Sequence, residues 1–238
     1  FCVVPYTRGS EYSRPVDQIY SEAATLAEKG VKEITLLGQN VNNYHGVNSF
    51  GREFGLGRLI KKLSKISGLE RIRYTTSYPA DMNTELINAH KNVKALMPFL
   101  HLPIQSGSNR ILKLMKRRHS VEDYRELVSQ LRLAEPNIAM SSDFMVGFPG
   151  ESASDFDDTM SLVEEIKFAN AFSFKFSARP GTPAARFGGQ ITKEVKSIRL
   201  EQLQALLSAQ QLEFNQECVG KSLPVLLENV GKRNGKLV

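Results

Sequence analysis

Five times along this chain a short run of β-forming residues gives way to a polar cluster and then to an amphipathic helix. The runs are EITLLGQN (33–40), RIRYTTSYP (71–79), FLHLPIQSG (99–107), IAMSSDFMVGFPG (138–150) and NAFSFKFSARPGT (170–182). Such alternation calls for parallel strands, because a parallel pair needs a long crossover and a helix makes one compactly. The strands read as near-continuous apolar runs, which implies cover on both faces. A closed eight-strand barrel takes ~250 residues, and five strands are too few for it. The pattern leaves a partial barrel or a doubly wound sheet.

The helices announce their own starts. Pro15 suits a first turn, Val16, Ile19, Ala23 and Leu26 then share one face, and Gly30 stops the helix. Ser120 with Asp123, and Ser152 with Asp155, read as capping boxes ahead of the stripes Tyr124, Leu127, Leu131 and Phe156, Met160, Val163. A long last helix is expected over 192–216, with Leu203, Leu207 and Phe214 on one side. Beyond it, SLPVLLENVGKRNGKLV reads as a strand followed by a hairpin turn at Asn234-Gly235. Both ends look cut, as in the middle of a longer protein.

Composition excludes more than it selects. No apolar run is long enough to span a bilayer, and Pro5, Arg8 and Glu11 interrupt any hydrophobic start. Two cysteines in 238 residues make no disulfide framework, so a cytoplasmic location is expected. The 31 basic against 25 acidic residues, a net of +6, tilt only mildly toward a polyanionic partner.

Every polar cluster follows the C-terminal end of a strand, where parallel α/β folds gather their sites. Gln39, Asn40 and Asn42 follow the first strand, Thr75, Thr76 and Ser77 the second, and Gln105, Ser106 and Ser108 the third. Ser142, Asp143 and Glu151 surround the fourth; Ser177 and Arg179 close the fifth. One such set alone reads as turn formers or caps, but five at one level mark a mouth. The four histidines (45, 90, 101, 119) lack metal-ligand spacing, and His90 and His119 are expected at a solvated helix end or loop. No nucleophile elbow, Walker loop or GxGxxG is present. A mouth of amides, hydroxyls and arginine holds a polar cofactor better than it does acid–base chemistry, so a cofactor should carry the reaction.

Taken in order, CVVPYTRGSEYSRP, LLGQNVNNY, FLHLPIQSGSNRILKLMKRRH, SSDFMVGFPGES and FSARPGTPAA resemble the radical S-adenosylmethionine methylthiotransferases, from residue 2 to about 216. LGQNVN is similar to the branch acting on N6-isopentenyladenosine in the anticodon loop of tRNA. Other branches act on a ribosomal protein side chain or on threonylcarbamoyl-adenosine in tRNA. The resemblance implies a partial TIM-like (β/α)6 radical-SAM barrel over 1–216 with its first strand missing. It also implies the beginning of a TRAM-like RNA-binding β domain over 217–238. The implied reaction adds a methylthio group at C2 of the base. A non-catalytic RNA-binding scaffold is the rival from another class.

Site roles follow from the resemblance. A Cys-x3-Cys-x2-Cys loop binds one 4Fe–4S cluster in this family, and Cys2 matches its third ligand. Three thiolates leave one iron open to the amine and carboxylate of S-adenosylmethionine. Gln39 and Asn40 would face the methionine end, Gln105 and Ser106 the ribose, and Asp143 with Gly147 the adenosine. Ser177, Arg179 and Pro180 would lie near the adenine and carboxylate. Gly147 and Gly150 would let backbone approach the ligand closely. Arg8, Arg14, Lys113, Lys116, Arg117 and Arg118 are candidate tRNA phosphate contacts, and a monomer is expected. The family's first two cysteines, and its N-terminal domain with a second, sulfur-donating 4Fe–4S cluster, have no counterpart in these 238 residues. With one ligand of three, the chain alone is expected neither to hold the cluster nor to turn over.

Overall fold

The computed structural model describes residue 9 and residues 11–227. In chain order the elements are α1 (Val16–Glu28), β1 (Glu33–Leu36), a small antiparallel hairpin of β2 (His45–Val47) and β3 (Glu53–Gly55), α2 (Leu56–Leu63), β4 (Arg71–Tyr74), α3 (Thr84–Asn92) and β5 (Phe99–His101). There follow α4 (Asn109–Leu114), α5 (Val121–Ala134), β6 (Ala139–Val146), α6 (Ala153–Ile166), β7 (Asn170–Lys175) and α7 (Lys193–Glu217).

Strand β1 pairs in parallel with β4, and β5, β6 and β7 pair in parallel in that order. The two sets meet where the Ile72 N–H donates to the Ala95 carbonyl at 2.7 Å and Met97 N donates to the Ile72 carbonyl at 3.0 Å. Neighbours in space are thus neighbours in the chain, β1-β4-β5-β6-β7. A doubly wound sheet reverses its order at a switch point; this one does not, and the choice left open by the sequence falls to the TIM-like barrel.

The helices cover one face. Ile72, Tyr74, Leu100, Met140, Phe144 and Val146 lie buried in one apolar core with Leu86, Tyr124, Val128, Leu131, Leu162 and Val163. Both capping boxes are present, at Ser120–Asp123 and Ser152–Asp155. Gln210 of α7 fixes the last helix to the barrel: its amide donates to Val163 O at 2.7 Å and accepts from Phe168 N at 3.1 Å.

Several expectations need correction. Apolar cover on both strand faces fails, because the concave face carries charged and polar side chains among its aromatic rings and is not packed by helices. In α1 the buried stripe is Val16, Ala23 and Ala27, while Leu26 is exposed. On α7, Leu203 and Leu207 are buried but Phe214 is exposed, since the helix outruns the sheet it packs on. Residues 221–227 form no strand, and the Asn234-Gly235 turn lies outside the described residues.

His90 and His119 are buried rather than solvated. The Tyr74 hydroxyl sits 2.6 Å from His90 Nε2, and burial pushes the His90 imidazole down to about 4. Burial, aided by the Arg117 charge, also takes His119 to about 4. Both rings are therefore neutral in the fold, whereas the unfolded chain takes up protons near 6.5. Stability contributed by the neutral rings is present above pH 6.5 and is lost as pH falls from there toward 4. Denaturant midpoints should fall through that window in the wild type. The slope should be shallower in His90→Gln, which keeps a partner for the Tyr74 hydroxyl without the titration.

Candidate active site in the barrel lumen

Side chains alternate across a strand, so every second residue of β1, β4, β5, β6 and β7 faces away from the helices. Strand register joins these residues into one surface: Glu33 beside Arg71, Thr35 beside Arg73, His101 beside Ser141, Asp143 beside Phe172, and Met145 beside Phe174. At one side Glu33 accepts from Arg71 Nε at 2.8 Å and lies 3.4 Å from Arg73 Nε. The Arg73 guanidinium stands 5.8 Å over the Phe99 ring. Toward β6, His101 Nδ1 is 3.0 Å from Ser141 Oγ and Nε2 is 3.5 Å from Asp143 Oδ1. The imidazole meets Phe172 edge-on, with centroids 6.2 Å apart.

The loops at the strand ends are shaped by ties between side chains. After β1, Asn42 and Tyr78 exchange hydrogen bonds, Asn42 Nδ2 to Tyr78 O at 2.8 Å and Tyr78 N to Asn42 Oδ1 at 2.9 Å. Asn40 Nδ2 donates to Asp81 Oδ2 at 2.6 Å, which leaves Asn40 Oδ1 buried with no partner among the described residues. Arg118 grips Asp81 through both carboxylate oxygens, at 2.9 and 2.8 Å, and its N–H donates to the Tyr78 hydroxyl. Past β4, Thr76 holds φ +65°, an unusual conformation for a β-branched residue. Past β5, Gln105 at φ +83° donates to Asp143 O and accepts from Met145 N, both at 2.9 Å.

Past β6, Gly147 takes φ +70°, and its N–H donates to the Glu151 carboxylate. A Cβ there would lie 2.3 Å from Lys196 Cγ, so glycine is required by both conformation and space. Glu151 is 2% exposed at its side chain and pairs with Arg199 of α7 at 3.1 Å. Burial raises the Glu151 carboxyl above its ordinary value, against the opposing pull of the Gly147 N–H and of Arg199. Gly150, at φ +82°, donates to Gly189 O at 2.8 Å.

The candidate residues thus divide. Asn40, Gln105, Asp143 and Gly147 stand at the strand ends or on the lumen wall. Ser106 is turned into the wall, with its hydroxyl 3.4 Å from Thr159 Oγ1 and accepting from Ser108 N. Gln39, Ser177, Arg179 and Pro180 are exposed on the rim. Among the basic residues, Lys113 and Lys116 are exposed, and Arg14 is exposed but paired with Glu22 at 2.8 Å. Arg117 and Arg118 flank the Tyr78 ring at 5.4 and 5.1 Å. The cleft of about 690 Å3 beside them is lined by Glu122, Asp123 and Glu126 as well as Arg118 and His119; its carboxylates make it a poor seat for phosphate. Cys2 and Arg8 lie outside the described residues.

Arg71, Arg73, His101, Phe172 and Phe174 join the site although they lie within the strand runs and outside the polar clusters that follow them. Their signal was present in the period of two within RIRY, FLH and AFSFK, where a polar or aromatic residue recurs at alternate places.

A polar zwitterion carrying a purine fits this surface. Asn40 Oδ1 is an acceptor in want of a donor such as an ammonium group, and the Asp143 carboxylate on the lumen wall can accept from the hydroxyl or amino groups of a nucleoside. Comparisons with known proteins point the same way. The profile of the radical SAM superfamily matches residues 1–163. Over 238 residues the chain is 57% identical to a tRNA-2-methylthio-N(6)-dimethylallyladenosine synthase of Agrobacterium fabrum. It covers 52% of that protein, so it spans about half the length of its curated relative. Among solved structures it resembles coproporphyrinogen III oxidase (HemN) from Escherichia coli, a radical SAM enzyme, with TM-score 0.54 at 15% identity over 82% of this chain and 46% of that one. It also resembles methylornithine synthase (PylB), with TM-score 0.53 at 15% identity over 90% and 64%. At such identities these structures speak for the fold alone.

Removing Arg199 would strand a buried carboxylate that shapes the Gly147 loop. Arg199→Met should cost about 3 kcal/mol in denaturant unfolding. Adding Glu151→Gln to it should recover part of the loss, because the amide oxygen can still accept from Gly147. Equal stability of the single and double variants would deny the pair this role.

Proposed function

The chain belongs to the radical S-adenosylmethionine superfamily, and on that premise we propose that it is the radical domain of a tRNA methylthiotransferase. The reaction adds a methylthio group at C2 of N6-isopentenyladenosine in an anticodon loop. The observation that carries this is the 57% identity to a tRNA-2-methylthio-N(6)-dimethylallyladenosine synthase along the whole chain.

A 4Fe–4S cluster with S-adenosylmethionine, when bound, supplies a carbon radical able to take hydrogen from an unreactive C–H bond, and a second cluster elsewhere in the protein supplies sulfur. Cys2 is one ligand of the first cluster. Asn40 Oδ1, buried without a partner among the described residues, would accept from the methionine ammonium, with Gln39 next to it in the chain. Gln105 and Ser106 shape the ribose side, Ser106 through its tie to Thr159 rather than by its own hydroxyl. Asp143 and Gly147 border the adenosine, with Ser177, Arg179 and Pro180 at the rim.

The RNA backbone is met by Arg8, Arg14, Lys113 and Lys116. Arg117 and Arg118 are weaker candidates for such a contact, because Arg118 is paired with Asp81 and the cleft beside it is lined by carboxylates. The chain divides at about residue 216, where a TRAM-like RNA-binding domain begins. The full protein works as a monomer in the cytoplasm; no helix among the described residues is long and apolar enough to cross a membrane.

Mass spectrometry of tRNA nucleosides tests this. Cells lacking the protein should accumulate isopentenyladenosine, and the methylthio form should return with the full-length gene but not with its Cys2→Ala variant. Methylthio levels that never change would remove the tRNA substrate and favour a protein substrate.

A further inference from the structure

We infer that Phe172 and His101 select the substrate, recognising a purine whose N6 substituent is uncharged and apolar. This rests on the proposed function and goes further, to the residues that choose the base.

Asp143 is in register with Phe172 and Met145 with Phe174, so these four side chains form one patch on the lumen face of β6 and β7. The patch is unusual for its position. Phe172 is 58% exposed and Phe174 39%, two aromatic rings bared on the concave side of the sheet. Bare rings on such a wall call for an occupant that is flat or apolar, since stacking and apolar cover are what they offer. His101 supplies the polar edge. Its Nδ1 is engaged by Ser141 at 3.0 Å, while Nε2 lies 3.5 Å from Asp143, too far for a good hydrogen bond. That nitrogen is open to a ring nitrogen of a base stacked on Phe172. A branched alkenyl group on N6 would then lie along Met145 and Phe174.

Charge supplies the rejection. An anionic substituent would meet the Asp143 carboxylate on β6, whereas the lumen arginines stand on β4, with β5 in between; there Arg71 is hydrogen-bonded to Glu33 and Arg73 lies 3.4 Å from it. The same wall therefore favours an alkyl-bearing adenine over one carrying a carboxylate.

The purine could belong to the RNA or to S-adenosylmethionine, and the test separates the two. Full-length protein, reconstituted without oxygen, would be titrated with anticodon stem-loop RNAs by fluorescence anisotropy. The RNAs carry N6-dimethylallyladenosine, unmodified adenosine, or N6-threonylcarbamoyladenosine. S-adenosylmethionine binding would be measured in parallel by equilibrium dialysis. Wild type should prefer the dimethylallyl RNA to either other RNA by about tenfold or more. Phe172→Ala should erase most of that ratio, Phe172→Tyr should keep it, and His101→Ala should reduce it. The S-adenosylmethionine affinity should stay the same in all three.

A wild-type preference that survives in Phe172→Ala overturns the inference and leaves the proposed function standing. Loss of S-adenosylmethionine binding in Phe172→Ala overturns it too, and gives the ring to the cofactor's adenine. No preference in wild type overturns both this inference and the proposed tRNA substrate.

Discussion

The Asp155 carboxylate, almost shut off from solvent, holds the mouth of the barrel in shape. It accepts from Ser108 Oγ at 2.6 Å, from Ser152 N at 2.8 Å and from Arg110, whose other contact is the Gly150 carbonyl at 2.6 Å. One side chain thereby fastens the loop leaving β5 to the start of α6. These bonds keep its carboxyl well below the usual range despite burial. Loops at a strand end have no ladder of backbone hydrogen bonds to fix them, so ties of this kind set where the lumen opens. Glu151 and Arg199 do the same from the side of α7, and Asp81 with Arg118 do it beside β4.

Rigid loops matter because the lumen they border is polar. A parallel barrel buries the outer face of its strands under helices and leaves the inner face to its own side chains. Here that inner face carries Glu33, Arg71, Arg73, His101 and Asp143 among aromatic rings. Charges in such a place must be paired or cost a great deal; Glu33 accepts from Arg71 at 2.8 Å and lies 3.4 Å from Arg73, whose Nε has no hydrogen-bond partner among the described residues. The Asn40 acceptor and His101 Nε2 are left less well satisfied. Groups held short of their partners in this way are what a site presents to a ligand.

Signals confined to a few residues were legible in the sequence. The capping boxes at Ser120 and Ser152 are written within four residues of chain, and both are formed. Parallel pairing follows from the alternation of runs and helices, whereas the order of the strands, and with it the choice of barrel over doubly wound sheet, needs the Ile72 contacts. Long-range pairings were not legible. Nothing near Arg118 reveals that Asp81 will claim it, and nothing near His90 reveals Tyr74. His101 stands on β5, where three residues carry only a faint alternation, and the lack of metal-ligand spacing among the histidines says nothing of its contacts with Ser141 and Asp143. The spacing of Val16, Ile19, Ala23 and Leu26 points to one face of α1, yet Ala27, and not Leu26, is the buried side chain at its end.

The central claim is that the concave face of this barrel, and not its helical exterior, is where ligand binds. Hydrogen–deuterium exchange on the full-length protein, with and without S-adenosylmethionine, addresses it directly. Protection should rise in residues 37–42, 101–106 and 143–151, and should stay unchanged in the cleft between residues 79–87 and α5. Protection concentrated in that cleft, with the strand ends unaffected, would contradict the account.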